Sequence, residues 1–293
     1  MNAFVTPAVE AETVGKLLDD GISFLESFAV EEAVVRAEWL LSSLLRIPRA
    51  RLRLEKNSPI TKEQSKRFSL WLHRCTDGEP VQYITGETEF FGLPFKVNEN
   101  VLIPRPETER LVEIAAETAA LSQPCSVLEI GTGSGCIAIS LAHACPGLTI
   151  DAVDNSEAAL RLARRNGKKN DVGAQISFRQ FDILKNEPDS QYDLIVSNPP
   201  YVPLTEYTLL NGTVRCFEPQ TALTDGGDGL TFYRRFAQDG WRWLRPSGVM
   251  ILEVGRNDHP EKAAELFRTA EWAQAELIQD YNGDPRVLTV CRT

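Results

Sequence analysis

The sequence predicts an α/β protein: a mainly parallel sheet with helices on both faces, finished by an antiparallel terminal hairpin and preceded by a small helical domain. Three observations carry this. After Cys125, β-branched runs alternate with amphipathic segments, as in "SVLEI", "GCIAISLAHAC", "LTIDAVD" and "SEAALRLARRNGKKN", and such βαβ alternation builds parallel sheets. At the other end "AELIQDY" and "RVLTVCR" are joined by "NGDP", a turn suited to an antiparallel hairpin at the sheet edge. The first 75 residues carry only helical periodicity.

Residues 1–75 are the expected helical domain. Apolar residues recur at helical spacing in "VGKLLDDGISFLESF", "EEAVVRAEWLLSSLL" and "TKEQSKRFSLWLHRC". Ser58 and Thr61 beside Pro59 mark the start of the third helix. The aromatics, β-branched residues, Gly and Pro of "EPVQYITGETEFFGLPFKVNENVLIPRPETE" predict a β-hairpin linker over 76–104. "RPETERLVEIAAETAAL" then opens the 105–293 domain as a helix, with Pro106 in its first turn and Glu107 and Glu109 near its positive end. The strands "QISFRQFD", "YDLIVSNPP" and "GVMILEV" and a helix around "LTFYRRFAQDGWRWL" complete the alternation.

With 293 residues, 43% hydrophobic and 25% charged, the chain suits one or two globular domains. It has no apolar run of the roughly 18 residues a membrane helix needs, and its N-terminus lacks a basic targeting region. A cytoplasmic location without membrane contact is expected. The six cysteines show no CxxC spacing and no pairing with the three histidines, so neither a metal site nor a disulfide framework is expected. A net charge of −10 argues against stable nucleic-acid binding. Nine Lys or Arg against two Glu between Arg46 and Arg74 read either as a solvated helical surface or as a local basic patch.

The motif "LEIGTGSGC" places Gly131, Gly133 and Gly135 directly after a strand. Side-chain-free turns let backbone approach a ligand, and the following helix begins with free N–H groups. The spacing is GxGxG, whereas the dinucleotide pyrophosphate fingerprint is GxGxxG. Asp154 ends the next strand, where a carboxylate accepts ribose hydroxyls. Asp182 comes after the third strand, placed to accept from an exocyclic adenine amine while Phe181 or Ile183 supplies apolar contact. Glu129 is near enough to the glycine turn to meet a cationic amine. Alone, each acid also reads as a cap or surface charge, but three at successive strand ends mark the ligand-binding edge of an α/β sheet. This acidic, phosphate-free pattern fits S-adenosylmethionine, released as S-adenosylhomocysteine.

The fourth strand ends on the same edge in "IVSNPPYVP". Two prolines remove two N–H groups and fix φ, ending the strand and stiffening the segment beyond it. The side-chain oxygen of Asn198 and the carbonyl of Pro199 each have room to accept one N–H of a planar amino group, and Tyr201 is expected to stack on it. Such a group is a poor nucleophile until oriented. No covalent intermediate and no strong base is required, since the proton lost after transfer goes to water.

A parallel sheet ended by an antiparallel hairpin resembles the class I S-adenosylmethionine-dependent methyltransferase fold, a Rossmann-like architecture. Over nearly its full length the chain resembles the PrmC/HemK family, the protein-(glutamine-N5) methyltransferases of peptide chain release factors. The resemblance rests on "EPVQYITGETEFFG", "LIPRPETE", "LEIGTGSG", "IVSNPPY" and "EPQTALTDGGDGLTFYR". It implies that Gly131, Thr132, Gly133, Ser134, Gly135, Asp154, Asp182 and Ile183 bind S-adenosylmethionine, with Glu129 and Asn198 beside them. It also implies that Asn198, Pro199, Pro200 and Tyr201 hold the glutamine of the Gly-Gly-Gln loop of class 1 release factors. Asn198, Pro199 and Tyr201 are the expected catalytic set, in a chain expected to be monomeric. Phe90 and Phe91, and an Arg105–Glu107 pair, are candidates for closing the site; Glu218 and Gln220 are candidates for shaping a substrate channel. The competing readings are an adenine-N6 or cytosine-N4 methyltransferase of nucleic acid, using the same acceptors on a flipped base, and a noncatalytic protein that retains the fold.

Overall fold

In a computed structural model, residues 12–121 and 125–293 are described. The chain divides into two compact units, one ending at Gly86 and the other running from Glu87 to Thr293. The stretch 76–104 is thereby shared between them, its hairpin lying in the second unit.

The described part of the first unit is helical: α1 Val14–Ser27, α2 Ala33–Leu45, α3 Arg49–Leu52, α4 Lys62–Thr76 and α5 Val81–Thr85. Residues 1–11 of the expected helical domain lie outside the described residues. Thr61 starts α4 in a capping box: its side chain accepts from Gln64 N–H while the Gln64 side chain accepts from Thr61 N–H. Leu25, Leu40, Leu41 and Phe68 form a core with no exposure. Gly21 lets α1 and α4 approach, since a Cβ there would lie 2.6 Å from the Phe68 ring. Of the nine cations between Arg46 and Arg74 all but Arg74 are exposed.

The second unit begins with the hairpin β1 Glu87–Phe90 and β2 Leu93–Lys96, followed by α6 Glu107–Ala120. Then come β3 Ser126–Ile130, α7 Cys136–Ala144, β4 Thr149–Asp154, α8 Glu157–Lys169, β5 Ile176–Gln180 and β6 Tyr192–Ser197. Three short helices, α9 Leu204–Tyr207, α10 Gly212–Phe217 and α11 Gln220–Leu223, lead to α12 Thr231–Trp243 and β7 Leu244–Glu253. The unit ends with α13 His259–Glu265, β8 Trp272–Gln279 and β9 Pro285–Arg292. The sheet order is β5-β4-β3-β6-β7-β9-β8, parallel from β5 to β7 and antiparallel at β9 and β8. The predicted terminal hairpin is present, with β8 on the edge and β9 inside it.

Strand alternation divides the core between the two faces. Val127, Leu194 and Ile251 join the cluster containing residues of α6 and α7, whereas Leu128, Ile195 and Leu252 join the one containing residues of α12 and α13. The hairpin is fastened to the sheet layer by one buried amide. Asn166 of α8 accepts from Lys96 N–H at 2.8 Å and donates to Lys96 O and Ser134 O, each at 2.9 Å. Among the described residues no helix is long and apolar enough to cross a membrane.

Asn166→Ala would leave three backbone groups without their amide partner. The expected loss is about 2–4 kcal/mol, measured by denaturant unfolding; a variant as stable as the parent would contradict this fastening role.

Candidate active site

β3 and β6 are parallel neighbours with Ile130 opposite Ser197, so the turn after one strand faces the segment after the other. From β3 the chain proceeds outward through β4 and β5, then returns to place β6 on the opposite side of β3. Ligands of open α/β sheets bind at the carboxyl ends of strands where the order reverses in this way. A cavity of about 420 Å³ opens there, within the roughly 300–1,000 Å³ typical of small-molecule sites.

Gly131, Thr132, Gly133 and Ser134 line it from the β3 side, Asp154 from β4, Phe181, Asp182 and Ile183 from beyond β5, and Asn198, Pro199 and Pro200 from β6. Gly131, Gly133 and Gly135 have φ of 78°, 54° and 83°, the left-handed region that disfavours a side chain. Gly135 sits behind the wall, where a Cβ would come within 2.9 Å of Ile139.

Asp154 is fixed by two backbone donors: Gly133 N–H meets one carboxylate oxygen and Ser156 N–H the other, each at 2.9 Å. Burial raises its pKa, and these bonds pull it back down. The carboxylate retains lone pairs for further donors. Asp182 accepts from Leu184 N–H at 3.0 Å and pairs with Lys185 at 2.7 Å; this Lys185 bond lowers its pKa. Ile183 is buried beside it and supplies an apolar wall.

Glu129 does not line this cavity. It points to the same side of β3 as Val127 and is fully buried. One carboxylate oxygen accepts from the Thr132 hydroxyl at 2.6 Å and the other has no partner. Burial pushes its pKa up to about 8, against the pull of the Thr132 bond. An unpartnered buried carboxylate oxygen behind a cavity-lining threonine suits a cationic partner.

On the β6 side, the Asn198 side-chain N–H donates to the Thr108 hydroxyl at 3.2 Å, and that hydroxyl donates to Glu253 at 2.6 Å. Tyr201 turns away from the cavity that Asn198 lines. It borders a second cavity of about 720 Å³, and its hydroxyl donates to the other Glu253 oxygen at 3.1 Å. The expected stacking by Tyr201 is therefore replaced by a buried polar anchor. Its phenol pKa is raised by burial first and the Glu253 charge second. Burial pushes Glu253 up to about 7, opposed by Thr108, Arg286 and Tyr201.

The tyrosine is held by the "TDGGDG" loop. Gly229 has a φ of 82°, and a Cβ there would lie 2.2 Å from the Tyr201 carbonyl oxygen, so the two backbones could not meet otherwise. Asp225 shapes that loop by accepting from the N–H groups of Gly227, Gly229 and Thr231 at 2.8, 3.0 and 3.0 Å.

Two expected closing features are located elsewhere. Arg105 pairs with Glu218 at 2.5 Å, not with Glu107, which faces Arg256 at 3.8 Å. Glu218 also accepts from Ile103 N–H at 3.1 Å, fastening "LIPRPETE" to "EPQTAL" beside the cavity. Gln220 is exposed and begins α11. Phe90 belongs to the core and Phe91 packs against it; neither lines the cavity. Thr108 and Glu253 carry no signal in the sequence: only the fold brings a helix start and a strand end, 145 residues apart, to one proton.

A Rossmann-like sheet with an antiparallel end and a small-molecule cavity at its switch point defines a class I methyltransferase, and residues 109–238 match the family model of the methyltransferase small domain. The hMettl16 catalytic domain, solved with a MAT2A 3′UTR hairpin, shares this fold at a TM-score of 0.54 and 16% identity, over 80% of this chain and 82% of that one. The chain belongs to the release factor glutamine methyltransferase family. Residues 16–86 match the model of the PrmC N-terminal domain. The release factor glutamine methyltransferase of Koribacter versatilis is 38% identical over 94% of this chain and 97% of its own length. Those of Geobacter sulfurreducens and Bacillus subtilis are 37% and 36% identical, covering 97% and 96% of this chain and 98% and 97% of their own.

Glu129 generates a pH prediction. Its folded pKa of about 8 lies above the ordinary 4.5, so its contribution to stability is intact below the ordinary value and declines as pH rises toward 8. Glu129→Gln removes that decline. Relative to the parent, its Tm should rise by at least about 3 °C between acidic and mildly alkaline buffer; a constant difference across that range would refute the assignment.

Proposed function

We propose that this enzyme transfers a methyl group from S-adenosylmethionine to the side-chain amide nitrogen of the glutamine in the Gly-Gly-Gln loop of class 1 release factors. The observation that carries it is the single cavity shared by the glycine turn, the two aspartates and the Asn-Pro-Pro segment, in a chain of this family. When bound, S-adenosylmethionine supplies an electrophilic methyl on a cationic sulfur.

Gly131–Ser134 border the donor, Asp154 accepts its ribose hydroxyls, and Asp182 with Ile183 meets its adenine. Glu129, buried behind Thr132, places a negative charge that favours the cationic amine from across that residue. Asn198 and the Pro199 carbonyl each accept one N–H of the glutamine amide. Occupying both hydrogens fixes the amide plane and aims the nitrogen along one direction. Pro199 and Pro200 restrict the motion of these acceptors.

No side chain is needed to remove the remaining proton, which leaves to water. The buried His259 is committed: its Nδ1 accepts from Gly255 N–H at 3.1 Å, and its Nε2 meets the Gly229 carbonyl at 3.1 Å. Tyr201, assigned to stacking on sequence grounds, contributes instead by holding Glu253.

The partner is a class 1 release factor, met in the cytoplasm by a monomeric enzyme. The exposed cations of α3 and its flanks give the N-terminal unit a surface for gripping the release factor outside the loop. Replacing Arg51 and Arg53 with Glu should raise KM for the intact release factor several-fold and leave KM for a short glutamine peptide unchanged; equal shifts for both would contradict this role.

The central test offers the enzyme labelled donor with a release factor, the same factor carrying Gln→Ala in its loop, and bulk nucleic acid. Label confined to the unmodified factor is expected, and label found only in nucleic acid would overturn the assignment. Asn198→Ala should lower turnover by on the order of 100-fold or more, with donor affinity within about 2-fold by calorimetry.

A further inference from the structure

The buried carboxyl of Glu253 borders the second cavity, away from the donor and glutamine contacts, yet Thr108 and Tyr201 each donate to it, one to each oxygen. Thr108 is itself buried, and its hydroxyl is the only link between Glu253 and Asn198 among the hydrogen bonds of the described residues. A hydroxyl owns one hydrogen. At 2.6 Å that hydrogen belongs to the carboxylate, so toward Asn198 the Thr108 oxygen has only lone pairs to offer. The Asn198 end that meets it must be the NH₂ group, and the carbonyl end of the same amide is left to face another donor.

We propose that Glu253 is a positioning residue for methyl transfer: through the Thr108 hydroxyl it sets the direction of a hydrogen-bond relay that keeps the Asn198 carbonyl oxygen available for the substrate amide. The inference rests on the assignment of Asn198 as the holder of the glutamine. Tyr201 is the second prop of the relay. Its phenol stays protonated and fixes the carboxylate from the other oxygen, while Tyr233 donates to the main-chain carbonyl of Glu253.

Without an anionic acceptor, the Thr108 hydroxyl is free to turn its hydrogen toward Asn198. The amide then reverses and presents its NH₂ group to the NH₂ of a glutamine, donor against donor. The relay thus selects for a guest that brings hydrogens.

The titratable and charged groups around Glu253 are Glu107 and Arg105 at the start of α6, Tyr201 after β6, Tyr233 on α12, His259 on α13, and Arg286 on β9 with its partner Asp280. Arg286 favours the carboxylate and Glu107 opposes it, with burial the largest influence. The relay is therefore intact above the titration of Glu253 and reversed below it.

The test compares Thr108→Val, which keeps the shape and removes the hydroxyl, with Thr108→Ser, which keeps the hydroxyl, alongside Glu253→Gln and Asn198→Ala. Each variant is assayed with full-length release factor and labelled donor for kcat and KM across pH, for donor affinity by calorimetry and for Tm. Thr108→Val should lower kcat by on the order of 10- to 100-fold, with KM and donor affinity within about 3-fold. Thr108→Ser should restore kcat to within about 3-fold of the parent. The parent's kcat should fall as pH drops through neutrality, and this limb should vanish in Thr108→Val. Equal impairment of the Val and Ser variants, or full kcat in the Val variant while Asn198→Ala is impaired, overturns the relay alone. Full turnover in Asn198→Ala overturns the assignment on which it rests. The threonine pair keeps the test decisive even where Glu253→Gln does not fold.

Discussion

The site depends on one strand pairing. β3 and β6 lie side by side, with Ser197 opposite Ile130 and its hydroxyl donating to the Ile130 carbonyl at 2.7 Å. These strands are separated in sequence by two complete strand-and-connection units that leave and return. Their pairing places the glycine turn beside the Asn-Pro-Pro segment, so a Cβ on Gly131 would lie 3.9 Å from the Asn198 carbonyl oxygen. Slipping the register by one residue would reverse which face each side chain meets. It would also separate the glycine-turn side of the cavity from the Asn-Pro-Pro side. Prolines after Asn198 then prevent the strand from continuing across the opening.

Around that pairing the protein keeps two carboxyl groups buried, Glu129 and Glu253, each shifted upward by burial. Among the described residues neither forms an ion pair, unlike surface acids such as Asp182 and Asp228. Glu129 has one hydroxyl donor and one orphan oxygen, whereas Glu253 has a hydroxyl on each oxygen. The difference is chemical. An oxygen with no donor leaves acceptor capacity open to a cationic group, while a carboxylate with a donor on each oxygen serves to orient those donors. Glu129 lies on β3 behind the glycine turn and Glu253 at the end of β7, linked through Thr108 to the Asn-Pro-Pro segment.

The fold was legible because its long elements bury wide, periodic faces. The helix over Glu157–Lys169, the strands from Ser126 to Glu253 and the terminal hairpin all advertise their partners through spacing. Helices of four to seven residues, such as α9, α10, α11 and α13, have too few turns to show a period. The wall residues Gly131, Asp154, Asp182 and Asn198 were legible because each lies at or within two residues of a strand's carboxyl end, where topology rather than side-chain direction decides position. The direction of Tyr201 is not legible in the sequence for the complementary reason. Its direction is set by Gly229 and Glu253, which are far away in sequence. The Arg105–Glu218 pair was likewise hidden, since 113 residues separate its partners and Glu107 stood closer.

A neutral amide propped by a carboxylate differs physically from a carboxylate placed directly at the substrate. An anion at position 198 would attract any cation entering the cavity, including the sulfonium of the donor, and would hold an N–H through charge rather than direction. In the proposed role Asn198 is a neutral acceptor, and the charge sits two hydrogen bonds away on Glu253. Hydrogen-bonded chains polarise one another in a low-dielectric interior, so the relay can favour the orientation that accepts N–H without creating a competing ion site. Adenine and cytosine amino groups present N–H bonds to such an acceptor as glutamine does. In the proposed function the relay sets only the kind of atom received, and we assign the choice of a protein amide over a base to surfaces outside it, such as the exposed cations of the N-terminal unit.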